Sequence, residues 1–417
     1  MMAASGPTLL IFSRHLMQDR FAGNSAHVRS LVDYLRDNGL RVVLLIPSLR
    51  GLGRKPFARV KLDRTGFDAI RLAGGFRVGP WLVRFAPSVW VRAVRLAVAR
   101  ALRQRNGGEG SDRFWDIGPI DAAERRAIRA AARQFRPHAA LANYFFLCDG
   151  LNAPELAGVA KITMVHDIFH ARVESFRASG LPLPHGPVTQ ACELGALAQA
   201  ETLLSVQETE ATLLRQLLPA RKTLLMPIAF PIRPGAAEPE PDRVFFVGSD
   251  NEVNRAGLDW LLHSVWPLLR ARRPAARLYA YGNVVRGAGA APEGVELVGR
   301  VDDLAAAYHR STLCVVPLRA GSGQKVKLVE AMCHGRAIVS TSVGAQGFEA
   351  LAGSCFALAD DAAGFADACA GVLGDPDQRR AFGRAALAQA RAHYSEAACY
   401  GAVLRELQAH FASCGRK

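Results

Sequence analysis

Two sets of short apolar runs, separated by helix-patterned stretches, restrict this chain of 417 residues to an α/β architecture. The first set occupies 8–13, 42–47, 139–142, 162–165, 202–205 and 223–226. The second occupies 244–247, 278–281, 295–298, 313–317, 337–341 and 355–358. Most runs end at glycine, proline or polar turns, and they are too short for helices. Strands that alternate with helices assemble into parallel sheets covered on both faces. Between the sets, 227–243 is rich in Pro, Gly and Glu and reads as a linker. The expected organisation is therefore a first βαβ domain over 1–232, a second over 243–375, and a helical segment over 376–417. That last segment carries Tyr394 and Tyr400 and is expected to pack back on the first domain. No sequence repeat of supersecondary length is visible. Open parallel sheets bind ligands at the carboxyl ends of their strands, so the expected site is the cleft between the two domains.

Half of the residues are hydrophobic, enough for two substantial cores. The apolar runs are broken by charge, and none approaches the ~20 residues needed to span a bilayer. The first twelve residues lack a cationic leader and read as a first strand. Eight cysteines are scattered without a Cys-x-x-Cys pair, which fits a reducing cytosol and argues against a zinc site or a disulfide framework. A cytoplasmic location, at the inner face of the cell membrane if the basic half meets lipid, is the expectation.

The net charge of +15 is uneven. Up to residue 240 there are 32 Lys and Arg against 20 Asp and Glu; beyond it, 20 against 17. The stretch 50–105 holds 14 cations and only Asp63 and Asp68 as anions. One half of the protein thus faces something anionic. Within it, 88–105 read as a helix puts Arg92, Arg95, Arg100 and Arg103 on one side and Val91, Val94, Val98, Ala101 and Leu102 opposite, with Trp81, Phe85 and Trp90 near its start. Two readings stand side by side: a helix lying on an anionic membrane surface, or an ordinary surface helix packed on the first sheet. Nucleic acid is not the expected partner, because no interleaved pattern of aromatic and basic residues occurs.

The densest chemistry lies in 319–347. An apolar strand precedes it, the turn Gly321-Ser322-Gly323 follows, and a helix runs from there to Gly335. A glycine turn feeding a helix N-terminus presents free N–H groups and the positive end of the helix dipole, a place to hold phosphate. Arg319, Lys325 and Lys327 add positive charge, and Glu330 lies one turn below Lys327 on the same helix face. Spacing alone also allows an exposed i,i+3 ion pair between Lys327 and Glu330, which would contribute little.

This stretch resembles the nucleotide-sugar site of the group 1 (family 4) retaining glycosyltransferases, which have the GT-B fold of two Rossmann-like domains facing across a cleft. Three further features follow in the expected order. Phe245-Phe246-Val247-Gly248-Ser249, with Asn254 and Gly257, is similar to the opening of the family's donor domain. Val298-Gly299-Arg300-Val301, then Asp303-Leu304 and Tyr308, is similar to the stretch lining the nucleotide base. Gly23-Asn24 followed by His27 is similar to the acceptor-domain glycine loop.

The resemblance implies that Arg319 and Lys327 neutralise the donor diphosphate, with Lys325 as a third cation and the N–H groups after Gly321 and Gly323 beside them. It implies that Glu330 accepts ribose hydroxyls and that Arg300 and Val301 flank the base. Two departures from the family pattern stand out. Ser322, eight positions before Glu330, occupies the place of a first glutamate, and no lysine follows the donor domain's first strand; Arg255 is the nearest cation there.

In the first domain the strand 161–165 ends in His166-Asp167, at the cleft-facing end where reactive groups belong. The family places a catalytic histidine there, and His166 matches it; the bland alternative is a strand-capping histidine. Asp167 would orient it or cap the next helix. The adjacent acidic pairs Asp302-Asp303 and Asp360-Asp361 sit at helix starts and read as caps, so no metal site is expected.

The implied reaction is metal-independent transfer of a sugar from a nucleoside diphosphate to a hydroxyl of a saccharide or glycolipid, with retention of configuration. The implied route is front-face attack through an oxocarbenium-like centre, and the implied setting is cell-surface or exported polysaccharide synthesis. No cofactor beyond the nucleotide-sugar co-substrate is implied. A GT-B nucleotide-sugar epimerase or hydrolase is the alternative reading.

Overall fold

The computed structural model describes residues 6–15, 17, 23–49, 56–59, 66–85, 87, 90, 91, 94, 117–178, 180, 186, 188–235, 238–321 and 323–414. Ser322, His185 and most of 88–105 lie outside the described residues.

The first domain is built on seven strands: β1 (Thr8–Phe12), β2 (Arg41–Ile46), β4 (Ala69–Leu72), β7 (Ala139–Asn143), β8 (Ala160–Val165), β9 (Thr202–Ser205) and β10 (Lys222–Leu225). They form one parallel sheet in the order β10-β9-β8-β7-β1-β2-β4. Strands β1 and β7 are buried along their whole length, as their unbroken apolar sequences require in a sheet covered on both faces. Three further short strands, β3 (Phe57–Arg59), β5 (Gly75–Val78) and β6 (Trp81–Arg84), make a small antiparallel sheet in the order β3-β6-β5. Neither β4 nor this small sheet is legible as an apolar run, because their described side chains, apart from the buried Leu82, are only partly buried or exposed.

The second domain holds β11 (Arg243–Val247), β12 (Arg277–Tyr281), β13 (Val295–Gly299), β14 (Leu313–Val316), β15 (Ala337–Ser340) and β16 (Ala357–Leu358). They are parallel, in the order β13-β12-β11-β14-β15-β16. Each sheet therefore reverses its winding direction beside its first strand, at β1/β7 and at β11/β14. Those switch points open crevices at the carboxyl ends of the strands.

Helices cover both faces of both sheets. Helix Ala122–Phe135 starts with a capping box in which Asp121 accepts from the Glu124 N–H and Glu124 accepts from the Asp121 N–H. Glu124 is fully buried and also takes a two-pronged contact from Arg14, with both bonds at 2.9 Å. An ion pair so deeply desolvated holds together because each charge is met by several partners. Asp303 and Asp361 accept from the N–H groups of Ala305 and Gly364 at helix starts.

The chain crosses between domains twice. Helix Pro376–His393 packs on the second domain, with Phe382, Ala386 and Ala390 in its cores. Helix Glu396–Cys414 returns to the first domain, where Cys399, Tyr400, Val403, Leu404 and Leu407 share a core with β1, β2 and helix Gly23–Asp37. The Tyr400 hydroxyl accepts from the Ala229 N–H at 3.1 Å, tying this helix to the linker. Among the described residues no helix is long and apolar enough to cross a membrane.

Candidate functional site

A cavity of 530 Å³ lies between the domains, and its walls come from the strand ends at the two switch points. His15 and Met17 follow β1, Asn143 closes β7, Tyr144 follows it, and His166 and Asp167 follow β8. From the second domain come Gly248, Ser249 and Asn251 after β11, and Leu318, Ala320, Gly321 and Gly323 to Lys327 after β14.

The turn after β14 takes its shape from glycine. Gly321 has φ +119° and Gly323 has φ +71°. A Cβ at Gly323 would stand 2.6 Å from Asp167 Oδ1 and 2.8 Å from the His166 carbonyl oxygen. Only glycine lets this turn approach the end of β8 this closely. The Gly323 N–H donates across the cleft to Glu210 Oε1 at 3.0 Å. Beside it, the Gln324 side chain pairs with the Ile228 backbone in both directions, accepting at 2.5 Å and donating at 3.4 Å.

Helix Val326–Cys333 starts at this turn. Lys325 is buried, donates to the Gly321 carbonyl at 3.1 Å, and is pushed by burial down to about 8, against the pull of Asp167 and Glu210. Lys327 donates to Asn254 Oδ1 at 2.5 Å and is likewise lowered to about 8, by desolvation and then by the charge of Lys325. Asn254 is held in turn by donating to the Ser249 carbonyl at 2.8 Å. Glu330 accepts from the Tyr308 hydroxyl at 3.1 Å, and burial raises its carboxyl above the ordinary range. Among the described residues no salt bridge joins Lys327 to Glu330, and neither side chain is exposed, so the pair is not an exposed surface bridge. Each is oriented separately, by Asn254 and by Tyr308, and both line the cavity. The site thus holds two lysines at depressed pKa and one carboxylate at raised pKa, an arrangement that a diphosphate and a hydroxylated sugar would relieve.

Across the cleft, His166 is buried at the end of β8. Asn143 Nδ2 donates to Ser13 Oγ at 3.0 Å, which leaves Asn143 Oδ1 to accept from His166 Nε2 at 2.8 Å. That bond fixes the ring proton on Nε2 and leaves Nδ1 as an acceptor. Burial, with His27 and His15 nearby, holds the ring well below its usual pKa, so it stays neutral. Tyr144 packs on it with ring centroids 4.5 Å apart and holds φ +83°, a conformation an L-residue rarely adopts. Asp167 pairs with Arg172 at 3.2 Å.

Not every residue singled out in the sequence reaches the cavity. Arg319 is exposed and lays its guanidinium over the Trp260 ring, 5.3 Å from the centroid, outside the cavity walls. The stacking draws it along the surface of helix Glu252–Trp260. Arg300, exposed, and Val301, half-buried, follow β13 beyond the cavity walls. His27 is fully buried behind His166, 5.7 Å between ring centroids, and burial lowers it to about 3; the neighbouring Ser25 and Ala26 line the cavity instead. Gly23 and Asn24 open helix Gly23–Asp37. Gly248 lines the cavity, and its carbonyl accepts from the Val284 N–H at 3.2 Å. Ser322 lies outside the described residues. Asn143, Tyr144 and Glu210 escaped sequence reasoning. The first two follow from one signal, a strand whose carboxyl end falls at the switch point; Glu210 carries no sequence signal.

Residues 241–375 match the family described as glycosyl transferases group 1. A comparison with curated protein sequences finds no match. Among solved structures, sucrose-phosphate synthase from Thermosynechococcus elongatus is similar with a TM-score of 0.66 at 16% identity, over 98% of this chain and 100% of that one. HepE from Anabaena, solved with UDP-glucose, gives 0.61 at 13% identity over 97% and 100%. TarM from S. aureus, solved with UDP and alpha-GlcNAc-glycerol, gives 0.61 at 10% identity over 98% and 99%. The architecture is the GT-B fold.

Proposed function

We infer that this protein is a glycosyltransferase that moves a sugar from a nucleoside diphosphate to a hydroxyl of a saccharide or lipid-linked acceptor with retention of configuration, as in family 4. The observation that carries the reading is the opposition of two half-sites in one cavity: Lys325, Lys327 and Glu330 on one wall, His166 and Asp167 on the other. The match of 241–375 to group 1 glycosyl transferases, and the UDP-glucose and UDP bound in structurally similar proteins, support it.

In this reading Lys327 and Lys325 meet the diphosphate, supplying the charge stabilisation that the leaving group needs and that a metal supplies in other enzymes. Glu330, oriented by Tyr308, accepts two adjacent hydroxyls of the donor ribose. His166, neutral and with Nδ1 unprotonated, accepts a hydrogen bond from a sugar hydroxyl and helps place the anomeric carbon against the acceptor. The departing phosphate oxygen takes the acceptor proton on the same face. Closure over the 530 Å³ cavity excludes water that would otherwise hydrolyse the donor. Synthesis of a cell-surface or exported polysaccharide is the setting this chemistry fits.

A thermal-shift screen across uridine, guanosine and adenosine diphosphate sugars tests the reading. One base class is expected to raise the melting temperature, because a ligand bound only by the folded state stabilises it. Lys327→Ala and Glu330→Gln are expected to abolish that shift while leaving the unliganded melting temperature near or above its starting value. Absence of a shift with every donor overturns the assignment, and donor consumption without any acceptor replaces transfer by hydrolysis or epimerisation.

A further inference from the structure

The small antiparallel sheet is inverted with respect to solvent. Residues directly opposite each other in an antiparallel pair point to the same face. The registers Phe57↔Val83, Arg59↔Trp81, Phe76↔Val83 and Val78↔Trp81 therefore place Phe57, Arg59, Phe76, Val78, Trp81 and Val83 on one face. The other face carries Leu82, which is fully buried in the first domain's core near Leu49. An ordinary solvated sheet would show polar side chains outside. Here the outward face shows Phe57, Phe76, Val78 and Trp81, each more than two-fifths exposed.

The patch continues past the sheet. Trp90 donates to the Arg84 carbonyl at 2.9 Å and lies 6.1 Å from Phe57, while Phe57 meets Trp81 at 5.6 Å and Phe85 meets Phe76 at 5.3 Å. Val91 and Val94 extend it, both more than half exposed. Eight of the nine exposed large apolar residues among those described fall in this one segment. Scattered apolar residues need no explanation, but a contiguous aromatic patch marks an interaction surface.

Charge selects the occupant. The surrounding sequence, 50–105, carries 14 cations and two anions, and one of those anions, Asp68, is engaged by Arg36 at 3.0 Å. A second copy of this chain would set this excess of positive charge against itself. An anionic lipid surface complements it, and tryptophan rings with a basic surround are suited to the headgroup boundary. We propose that the outward face of the β3-β6-β5 sheet, with Phe85, Trp90, Val91 and Val94, is a docking platform for an anionic membrane. The platform stands on its own observations and does not depend on the transferase reading.

Vesicle sedimentation of the full chain, with protein and lipid only, tests it. The chain is expected to pellet with phosphatidylcholine vesicles containing phosphatidylglycerol, to pellet far less with phosphatidylcholine alone, and to be released by salt. The double variant Phe57→Ser, Trp81→Ser is expected to weaken partitioning by roughly tenfold or more, since each ring loses its apolar burial in the lipid. Phe76→Ser, on the neighbouring strand, guards against misfolding of the first variant and should show the same direction. Tryptophan emission is expected to shift to the blue only with anionic vesicles. Equal pelleting of wild type and both variants overturns the proposal. So does a wild type that ignores both vesicle types but forms a multimer, measured by light scattering, that the variants lose.

Discussion

Asn143 decides what His166 can do. The imidazole has two nitrogens, and the bond from Nε2 to Asn143 Oδ1 assigns the proton to one of them. Replacing Asn143 by Asp sets a carboxylate there, which favours the imidazolium and removes the Nδ1 lone pair. Asn143→Asp is expected to reduce kcat by about 10- to 100-fold with KM for donor little changed, in line with the usual contribution of one positioned proton-handling group. It should also add an acid limb to the pH–rate profile that the wild type lacks, because the wild-type ring stays neutral well below its usual pKa. A flat profile in the variant would reduce Asn143 to a packing residue. Lys327 shows the complementary logic: burial and the neighbouring charge of Lys325 make its ammonium costly, and its pKa falls to about 8.

At the scale of elements, the turn between β14 and helix Val326–Cys333 is the part most legible in the sequence, and for a physical reason. Gly321 and Gly323 hold positive φ, a requirement side-chain-bearing residues rarely satisfy, so the glycines show through. All twelve apolar runs contain a strand, and the reason is plainest in β1, β7, β9, β14 and β15, which are buried along their whole length. Strand β4 and the β3-β6-β5 sheet did not show through, since half-exposed strands lack that demand. The spacing of Lys327 and Glu330 places both on one face of helix Val326–Cys333, but their partners Asn254 and Tyr308 lie 73 and 22 residues away, beyond the reach of local pattern. Arg319 went the other way: its charge was visible, and the Trp260 ring that carries it off the cavity was not. Gly323→Ala tests the turn. With φ +71° and Asp167 Oδ1 only 2.6 Å from the new Cβ, it is expected to cost about 1–3 kcal/mol and to abolish donor-induced stabilisation. Thermal melting with and without sugar nucleotide reads both; an unchanged donor shift would show that the approach of the two domains is not needed for binding.

For the molecule as a whole, the seam between the domains contains a titratable latch. Glu210 accepts from the Gly323 N–H, and its carboxyl is pushed up to about 8 by burial and by the neighbouring Asp167, with Lys325 pulling the other way. A carboxyl raised from 4.5 to about 8 in the closed form holds a proton that an opened form releases. Its contribution to closure is therefore complete below the ordinary value and is lost as pH rises through about 8. Small-angle scattering is expected to show a larger radius of gyration above that pH, and Glu210→Gln to remove the change. An identical response in the variant would remove Glu210 as its cause, since Lys325, lowered by burial to about 8, favours closure as pH rises.

The two crossings between domains have a consequence for how the protein is made. Helix Glu396–Cys414 belongs to the first domain's core yet is synthesised after all of the second. While the ribosome works through the second domain, helix Gly23–Asp37 and strand β10 wait without helix Glu396–Cys414 packed against them. The second domain can complete itself as it emerges, so the order of maturation runs opposite to the order of the genetic message: the half translated first is the half finished last.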